Sequence, residues 1–78
     1  MISAVVLVNT DLDAHYRVLN SLRLVDGVEE AHALYGVYDF LVKIKGSSID
    51  KLKEITKLRI KPIAGVNSSL TLMIVQDN

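Results

Sequence analysis

The first half of the chain contains two runs typical of strands, separated by a segment with helical spacing. Residues Ile2–Val8 are apolar at nearly every position, which predicts a central strand covered on both faces. Residues 9–11 offer capping oxygens, and apolar positions at three- and four-residue spacing then predict a helix from about Asp11 to Leu22. Val28–Tyr35 alternates between apolar and polar positions, as a half-covered strand does.

The second half repeats this order. Asp39–Lys45 alternates and predicts a third strand. Residues 46–48 then supply a break and an N-cap, and Asp50 lies where a capping box would place it. An apolar stripe at helical spacing follows, and Pro62 closes this second helix. Val66–Val75 is predicted to be the last strand.

The two halves also resemble each other in sequence. Leu24–Leu34 and Pro62–Leu72 both place Gly-Val directly before a strand. A doubled βαβ unit with right-handed crossovers interleaves into a four-stranded antiparallel sheet with both helices on one face. We therefore predict an α+β fold, the ferredoxin-like βαββαβ sandwich, formed by a single domain of residues 1–78.

One face of this sheet is expected to lie uncovered. The residues predicted to point toward the helices are Phe40, Val42, Ile44, Leu70, Leu72 and Ile74. Those predicted to point away are Leu34, Leu41, Met73 and Val75, together with His32, Lys43 and Thr71. A face of this mixed apolar character suits packing against the same face of a second copy. We predict a two-fold dimer with Leu34, Leu41, Met73 and Val75 in its interface.

Charge and composition narrow the possible functions. Nine basic and nine acidic residues cancel in a chain of 78, which disfavours direct binding to nucleic acid or to an anionic membrane. The longest apolar run, Ala4–Val8, cannot span a bilayer, and Met1–Ser3 lacks the basic start of a secretory signal. We expect a cytoplasmic protein. Because no cysteine stabilises so short a chain, self-association is the expected support.

Motifs for catalysis, cofactors or metals are not evident. His15 falls in a predicted helix and His32 in a strand, and neither has the nearby nucleophile or carboxylate that suggests a triad. The glycines are scattered singly rather than in a phosphate-binding loop, and no Cys/His cluster has metal spacing. We predict no catalytic residue, no cofactor and no metal.

The turn between the two middle strands is chemically unusual. Tyr35–Asp39 combines aromatic side chains, a glycine that lets another group approach the backbone, and a carboxylate able to hold an ammonium ion. These groups are complementary to a free amino acid. The simpler interpretation is a plain reversal in which Gly36 permits a positive φ and Asp39 is merely solvated.

Two segments carry a resemblance to a known family. The runs GVEEAHALYGVYDFLVKI and AGVNSSLTLMIV resemble the ligand-sensing domain of the leucine- and asparagine-responsive regulators, the Lrp/AsnC family, also called the RAM domain. The resemblance covers essentially the whole chain and is to the stand-alone members, which lack the helix-turn-helix of the full-length regulators. One departure is KPIAGV, where Ala64 stands in place of the proline common before Gly-Val.

The resemblance implies a non-enzymatic, amino-acid-binding regulatory module. It implies a sandwich dimer, assembled further into a ring such as an octamer, which acts on transcription through full-length Lrp/AsnC partners. Effectors would bind between dimers near the Gly-x-Tyr-Asp turn. The implied effector-binding residues are Gly36, Val37, Tyr38, Asp39, Ser68, Ser69 and Thr71, with Tyr35 and His32 adjacent.

Two other functions stay open at this point. A small dimeric ferredoxin-like enzyme, of the monooxygenase or isomerase type, would use a pocket between helices and sheet, and a His-carboxylate pair inside that pocket would favour it. A purely structural assembly unit would need no ligand at all.

Overall fold

The computed structural model describes residues 2–74 and has the predicted ferredoxin-like architecture. Four strands form one antiparallel sheet in the order β2-β3-β1-β4, and two helical segments pack on it. The elements in chain order are β1 (Ile2–Thr10), a 3-10 turn (Leu12–Ala14), α1 (His15–Arg23), β2 (Val28–Ala33), β3 (Phe40–Gly46), α2 (Ile49–Glu54), a π-helical segment (Ile55–Ile60) and β4 (Val66–Met73).

The core lies between the helices and one face of the two central strands. Alternate residues of β1 and β3 are fully buried, as the period of a strand requires when one face is covered. These residues are Ala4, Val6, Val8, Phe40, Val42 and Ile44. They pack with Val18 and Leu22 of α1 and with Leu52 of α2. The predicted inward side of β3 is confirmed.

The internal repeat is visible in two matching turns. The residue after Gly27 donates its backbone N–H to Val25 O at 3.1 Å, and the residue after Gly65 donates to Ile63 O at 3.1 Å. The carbonyl of each glycine also accepts a 2.9 Å hydrogen bond from a backbone N–H. Lys45, near the end of β3, donates to Gly27 O, and Asp11, directly after β1, donates to Gly65 O. The two βαβ halves therefore enter their last strands in the same way.

Both glycines also let a helix approach closely. A Cβ on Gly27 would lie 2.7 Å from Ile55 Cδ1, and one on Gly65 would lie 2.6 Å from Ala14 Cβ. The first obstruction is the end of a flexible side chain, whereas the second is fixed to the backbone of the turn before α1. Gly65 therefore sits at the more restrictive of the two contacts.

The helix ends differ in detail from the sequence-based expectation. Ser48 caps α2 by accepting from Lys51 N at 3.1 Å, so the residue opposite the cap is Lys51 and the box expected with Asp50 does not form. At the first helix Asp11 makes no side-chain cap bond. The second helix widens after Glu54, and Lys61 N donates to Thr56 O at 2.9 Å across five residues.

The predicted facing of β4 is wrong by one residue. Leu70 is paired with Leu7 and Leu72 with Val5, which places both leucines on the open face, the sheet face away from the helices. Met73 is paired with the buried Ala4 and packs against the core. Since Thr71 alternates with Leu70 and Leu72, it shares the helix side with Met73, and Ile74 falls on the open side.

The most apolar positions of β4 are not the ones that face the core. Pairing with β1 decides the facing instead, and its register shifts at a bulge between Asn9 and Thr10. The open face is consequently more apolar than expected at β4. Of the predicted interface residues, Leu41 lies on the open face and Met73 does not. Leu34 follows β2 at the base of the turn, and Val75 lies outside the described residues.

Candidate functional site

The turn between β2 and β3 projects from one end of the sheet. Leu34 N donates to Asp39 O at 2.8 Å and so closes the turn at its base. Tyr35 is fully exposed and Val37 nearly so, while Tyr38 is half-buried. Gly36 has a φ of +148°, and a Cβ there would meet no atom within 4 Å. The tip is therefore open on all sides within one protomer.

Asp39 fixes the base of this turn to the end of β1. Its Oδ2 accepts from Thr10 N at 2.7 Å and from Thr10 Oγ1 at 3.4 Å. Its backbone N–H points at Val8 O, 3.0 Å away, and at Asn9 Oδ1, 3.2 Å away. This pattern, the Asp39 clip, makes the carboxylate a structural group as well as a candidate ligand. Within residues 2–74 the other oxygen, Oδ1, has no hydrogen-bond partner.

The polar start of β4 lies on the other side of the same β1 end. Ser68 is paired with Asn9, and Ser69 with Val8. Because β1 is central, Asp39 and Ser68 flank it from opposite sides at one end of the sheet. The structure thus brings together the turn and the first of the serines assigned by the resemblance.

The remaining candidate residues do not all join this group. His32 is paired with Leu41 and lies on the open face one row from the turn. Ser69 and Thr71 alternate onto the helix side, and Thr71 is paired with Val6, farther along the sheet. A ligand held at the turn by Asp39 would approach Ser68 before Ser69 or Thr71.

Two residues of the clip were missed from sequence. The sequence alone predicts that Asn9 and Thr10 cap the first helix, a common role for Asn and Thr before a helix. In the structure they bind Asp39 instead: the Asn9 side chain accepts from Asp39 N, and the Thr10 backbone N–H donates to Asp39 Oδ2. The only available signal was two polar residues ending an otherwise apolar strand.

Neither histidine forms a site between the helices and the sheet. The ring of His15 lies against Phe40, with centroids 4.6 Å apart. His32 Nε2 lies 2.8 Å from Glu30 Oε1 on the exposed surface of β2. The hydrogen bond from His32 lowers the pKa of the Glu30 carboxyl below its ordinary value of 4.5. This His-carboxylate pair is therefore a surface pair and does not lie in a pocket between the helices and the sheet.

No three His, Cys, Asp or Glu side chains of residues 2–74 lie close enough to hold a metal ion. None of the helices formed by these residues has the length and apolarity needed to cross a membrane.

The chain matches a known protein family over nearly its whole length. The sequence model of the family described as the Lrp/AsnC ligand binding domain matches residues 3–77. The chain belongs to this family. The Gly36–Asp39 turn that suggested the resemblance is therefore the turn of an Lrp/AsnC ligand-binding domain.

Individual relatives agree with this assignment. The chain is 29% identical over 56 residues to a proline dehydrogenase transcriptional activator of Rhizobium radiobacter, a match that covers 72% of this chain and 36% of the relative. The matched segment thus spans about a third of that curated relative.

Two solved structures have the same fold. E. coli AsnC superposes with a TM-score of 0.90 at 25% identity, over 97% of this chain and 52% of that one. A Neisseria meningitidis transcriptional regulator, NMB0573, solved as a complex with L-Met, superposes with a TM-score of 0.87 at 18% identity, over 97% of this chain and 51% of that one.

Proposed function

We propose that this chain is a non-enzymatic regulatory module that binds an amino acid at the Tyr35–Asp39 turn and self-associates through the open face of its sheet. It would modulate transcription together with full-length Lrp/AsnC regulators. The single observation that carries the proposal is the turn itself, which is rigidly attached at its base and open at its tip.

The attachment and the openness have separate consequences. The Asp39 clip holds the turn in one position, so a ligand does not have to order it, and preorganisation reduces the entropic cost of binding. The exposed tip offers Tyr35 and the backbone of Gly36 but no enclosing wall. Since ligand sites bury most of their ligand, the missing wall would come from another subunit.

The relatives support the class of ligand and the class of role. The N. meningitidis regulator was solved with L-Met, and the R. radiobacter relative is a transcriptional activator. An amino acid matches the groups at the turn: Asp39 Oδ1 can accept from an α-ammonium group, and backbone N–H groups can donate to an α-carboxylate.

The open face supports self-association. Two rows of paired residues cross it: His32, Leu41, Leu7, Leu70 and Glu30, Lys43, Val5, Leu72. The β2 ends of both rows are polar, and the β1 and β4 ends are apolar. Leu70 and Leu72 are 43% and 48% exposed in one protomer, so a second copy seated over this half would bury them.

Thermal-shift screening against the twenty amino acids, combined with mass measurement in solution, tests both parts of the proposal. A ligand that binds only the folded state raises its melting temperature by mass action. We expect an amino acid to produce such a shift and the protein to be at least dimeric. A monodisperse monomer at micromolar concentration would contradict the self-association.

The role of the carboxylate is tested by Asp39→Asn rather than by alanine. Asparagine retains an oxygen that can accept from Thr10 N and so preserves the clip, but it removes the charge. A charge-assisted hydrogen bond is typically worth about 1.5 to 3 kcal/mol, so the affinity for the amino acid should fall by roughly ten-fold or more.

The matched control is Asp26→Asn, which makes the same change before Gly27 at the other end of β2. Calorimetric titration of both variants follows confirmation that their mass and melting temperature equal those of the parent. If Asp39→Asn binds as tightly as Asp26→Asn, the carboxylate has no role in binding.

One observation favours the structural alternative. Asp39 already has internal partners in Thr10, and that role explains the residue without any ligand. Under this alternative no amino acid shifts the melting temperature, while Asp39→Ala lowers the stability of the free protein.

A further inference from the structure

A row of three lysines borders a cleft over β4. Lys53, Lys57 and Lys61 follow one another at four-residue spacing along the second helix, and all three line a cleft of about 540 Å³. Its other lining residues are Thr56, Thr71 and Met73. We call these three residues the lysine row. None of them forms an ion pair with another of residues 2–74, whereas Lys45 pairs with Glu29 and Lys51 with Glu54.

Basic residues are concentrated in the segment that carries the lysine row. The chain has no net charge, yet residues 51–61 contain five of its nine basic residues and one acidic residue, Glu54. Such segregation gives this side of the molecule an attraction for anionic partners that the net charge conceals.

The other wall of the cleft is an edge of the sheet. β4 is the last strand in the order β2-β3-β1-β4. Ile74 N donates inward to Ser3 O at 3.1 Å. Because inward and outward peptide groups alternate along an antiparallel strand, the N–H and C=O groups of Thr71 and Met73 point outward, away from β1. They lie at the mouth of the cleft that the lysine row borders.

A neighbouring polar atom is also without a partner. Ser69 Oγ is buried and has no hydrogen-bond partner among the described residues. Ser69 lies on the same side of β4 as Thr71 and lines an adjoining cleft together with Lys61. Buried polar atoms are normally hydrogen-bonded, so this one is consistent with a partner that the isolated chain lacks.

We propose that β4 and the lysine row bind an extended acidic segment of a partner protein as an additional strand. In an extended chain alternate side chains point to the same face at intervals of roughly 6.6 Å, so an acidic segment can present its carboxylates in a row along the lysine row. Acidic residues at alternate positions would therefore meet successive lysines, while the backbone pairs with β4.

The apolar side chain in the cleft and the edge strand β4 favour a polypeptide over other anions. Met73 supplies an apolar surface that a phosphate backbone does not use, and the outward peptide groups of β4 are donors and acceptors for another strand. The proposal does not rest on amino-acid binding at the turn. It uses the helix side and outer edge of β4, whereas the proposed dimer uses the open face.

The probe is a fluorescently labelled peptide of eight residues in which Glu alternates with Val, the length of β4. Two control peptides separate the contributions. One has the same composition with its glutamates in a block, and the other carries N-methyl groups on the amides that would face β4. We expect the alternating peptide to bind at least about ten-fold more tightly than either control.

The decisive protein variant is the double charge reversal Lys57→Glu with Lys61→Glu. It should weaken binding of the alternating peptide by at least about ten-fold, because two attractions become repulsions at a partly exposed site. The matched control is Arg59→Glu, an equal charge change per residue in the same segment, whose side chain lines a different cleft. We expect Arg59→Glu to change the affinity by less than about two-fold. Circular dichroism verifies that both variants are folded.

Hydrogen exchange separates strand pairing from charge attraction, because attraction between side chains alone would not slow the exchange of the β4 amides. The amides of Thr71 and Met73 should become protected when the alternating peptide is bound, because they then donate to it. Equal binding of the N-methylated peptide, or unchanged exchange at these amides, would overturn the proposal.

Other occupants give different results. If a second copy covers the edge, the double reversal lowers the mass of the unliganded protein and the peptide does not bind. If the lysine row serves phosphate groups, duplex DNA is retained at low salt and lost in the double reversal. Either result would replace the acidic-peptide assignment.

Discussion

The two faces of the sheet are built from the same strands but reach different states in one protomer. On the helix side, alternate residues of β1 and β3 are fully buried. On the open face, the neighbours of these residues are only partly covered, and Leu70 and Leu72 of β4 remain 43% and 48% exposed. The helix side is buried within one chain, whereas the apolar half of the open face stays exposed in one protomer.

This difference separates stability from assembly. The apolar residues on the helix side hold the fold together, so their loss should unfold the chain. The apolar residues of the open face lack a partner, so their loss should affect association more than folding. The polar residues near β2 on that face, including Glu30 and Lys43, mark where its apolar part ends.

The largest effect is expected from Phe40→Ala on the helix side. Phe40 is fully buried, and truncating a buried phenylalanine typically costs about 3 to 5 kcal/mol of unfolding free energy. A small domain has little more than this in total, so much of the protein should be unfolded. Urea denaturation followed by circular dichroism measures the change.

Its control is Leu41→Ala, one residue along and on the opposite face. At concentrations where the protein is monomeric, this variant should lose clearly less stability. Equal losses for Phe40→Ala and Leu41→Ala would remove the distinction between the two faces.

The next largest effect is expected from Gly65→Ala, which tests the close packing on the helix side. The new Cβ would lie 2.6 Å from Ala14 Cβ, at a φ of +102° that L-residues rarely adopt. Backbone strain and overpacking each typically cost about 1 to 3 kcal/mol, so a loss of roughly 2 to 5 kcal/mol is expected. Gly36→Ala meets no atom within 4 Å and should cost only the strain. Equal melting temperatures for the two variants would be inconsistent with this account.

A smaller effect, on association rather than on folding, is expected from Leu72→Gln. Replacing an apolar residue in both copies of the proposed two-fold interface should weaken the proposed dimer by at least about ten-fold, while the unfolding of the monomer changes little. Analytical ultracentrifugation over a concentration series measures the dissociation constant.

The adjacent residue provides the control, since Met73→Gln introduces the same side chain on the helix side. It should lower stability without changing the dissociation constant. The reverse pattern would mean that the facing of β4 is the one first predicted from sequence.

The smallest effect is expected from Glu30→Gln in the polar half of the open face. The hydrogen bond to His32 lowers the pKa of Glu30 in the folded state. This interaction therefore stabilises the fold above pH 4.5, and its contribution disappears as the pH falls through the folded pKa. The variant should therefore lose less stability than the parent on acidification below pH 4.5. Thermal melts from pH 6 to pH 3 measure this, with Glu54→Gln as the exposed control.

Most of the fold could be predicted from local pattern. The buried run of β1, the alternation of β3 and the Gly-Val repeat are each strong signals, because central strands and tight turns restrict which residues fit. The facing of β4 could not be predicted in the same way. Leu70, Leu72 and Ile74 are more apolar than Thr71 and Met73, and only the pairing with β1 shows that the apolar set is on the open face.

The candidate site was predicted less completely than the fold. The turn could be proposed as a site from sequence because Gly36, Tyr38 and Asp39 form a motif. The clip was missed because it joins Thr10 to Asp39, 29 positions away, and the capping role of Asn9 and Thr10 was the nearer explanation. Contacts between distant segments leave no periodic signal.

The central place of β1 has a consequence during synthesis. β1 is made before β3 and β4, the strands on either side of it, so its two edges and its apolar side chains stay without their native partners while the intervening chain is translated. Strands paired this far apart in sequence form slowly, and an unpaired apolar strand can associate with other nascent chains. The yield of folded protein should therefore depend more on the rate of translation and on chaperones than the small size of the chain suggests.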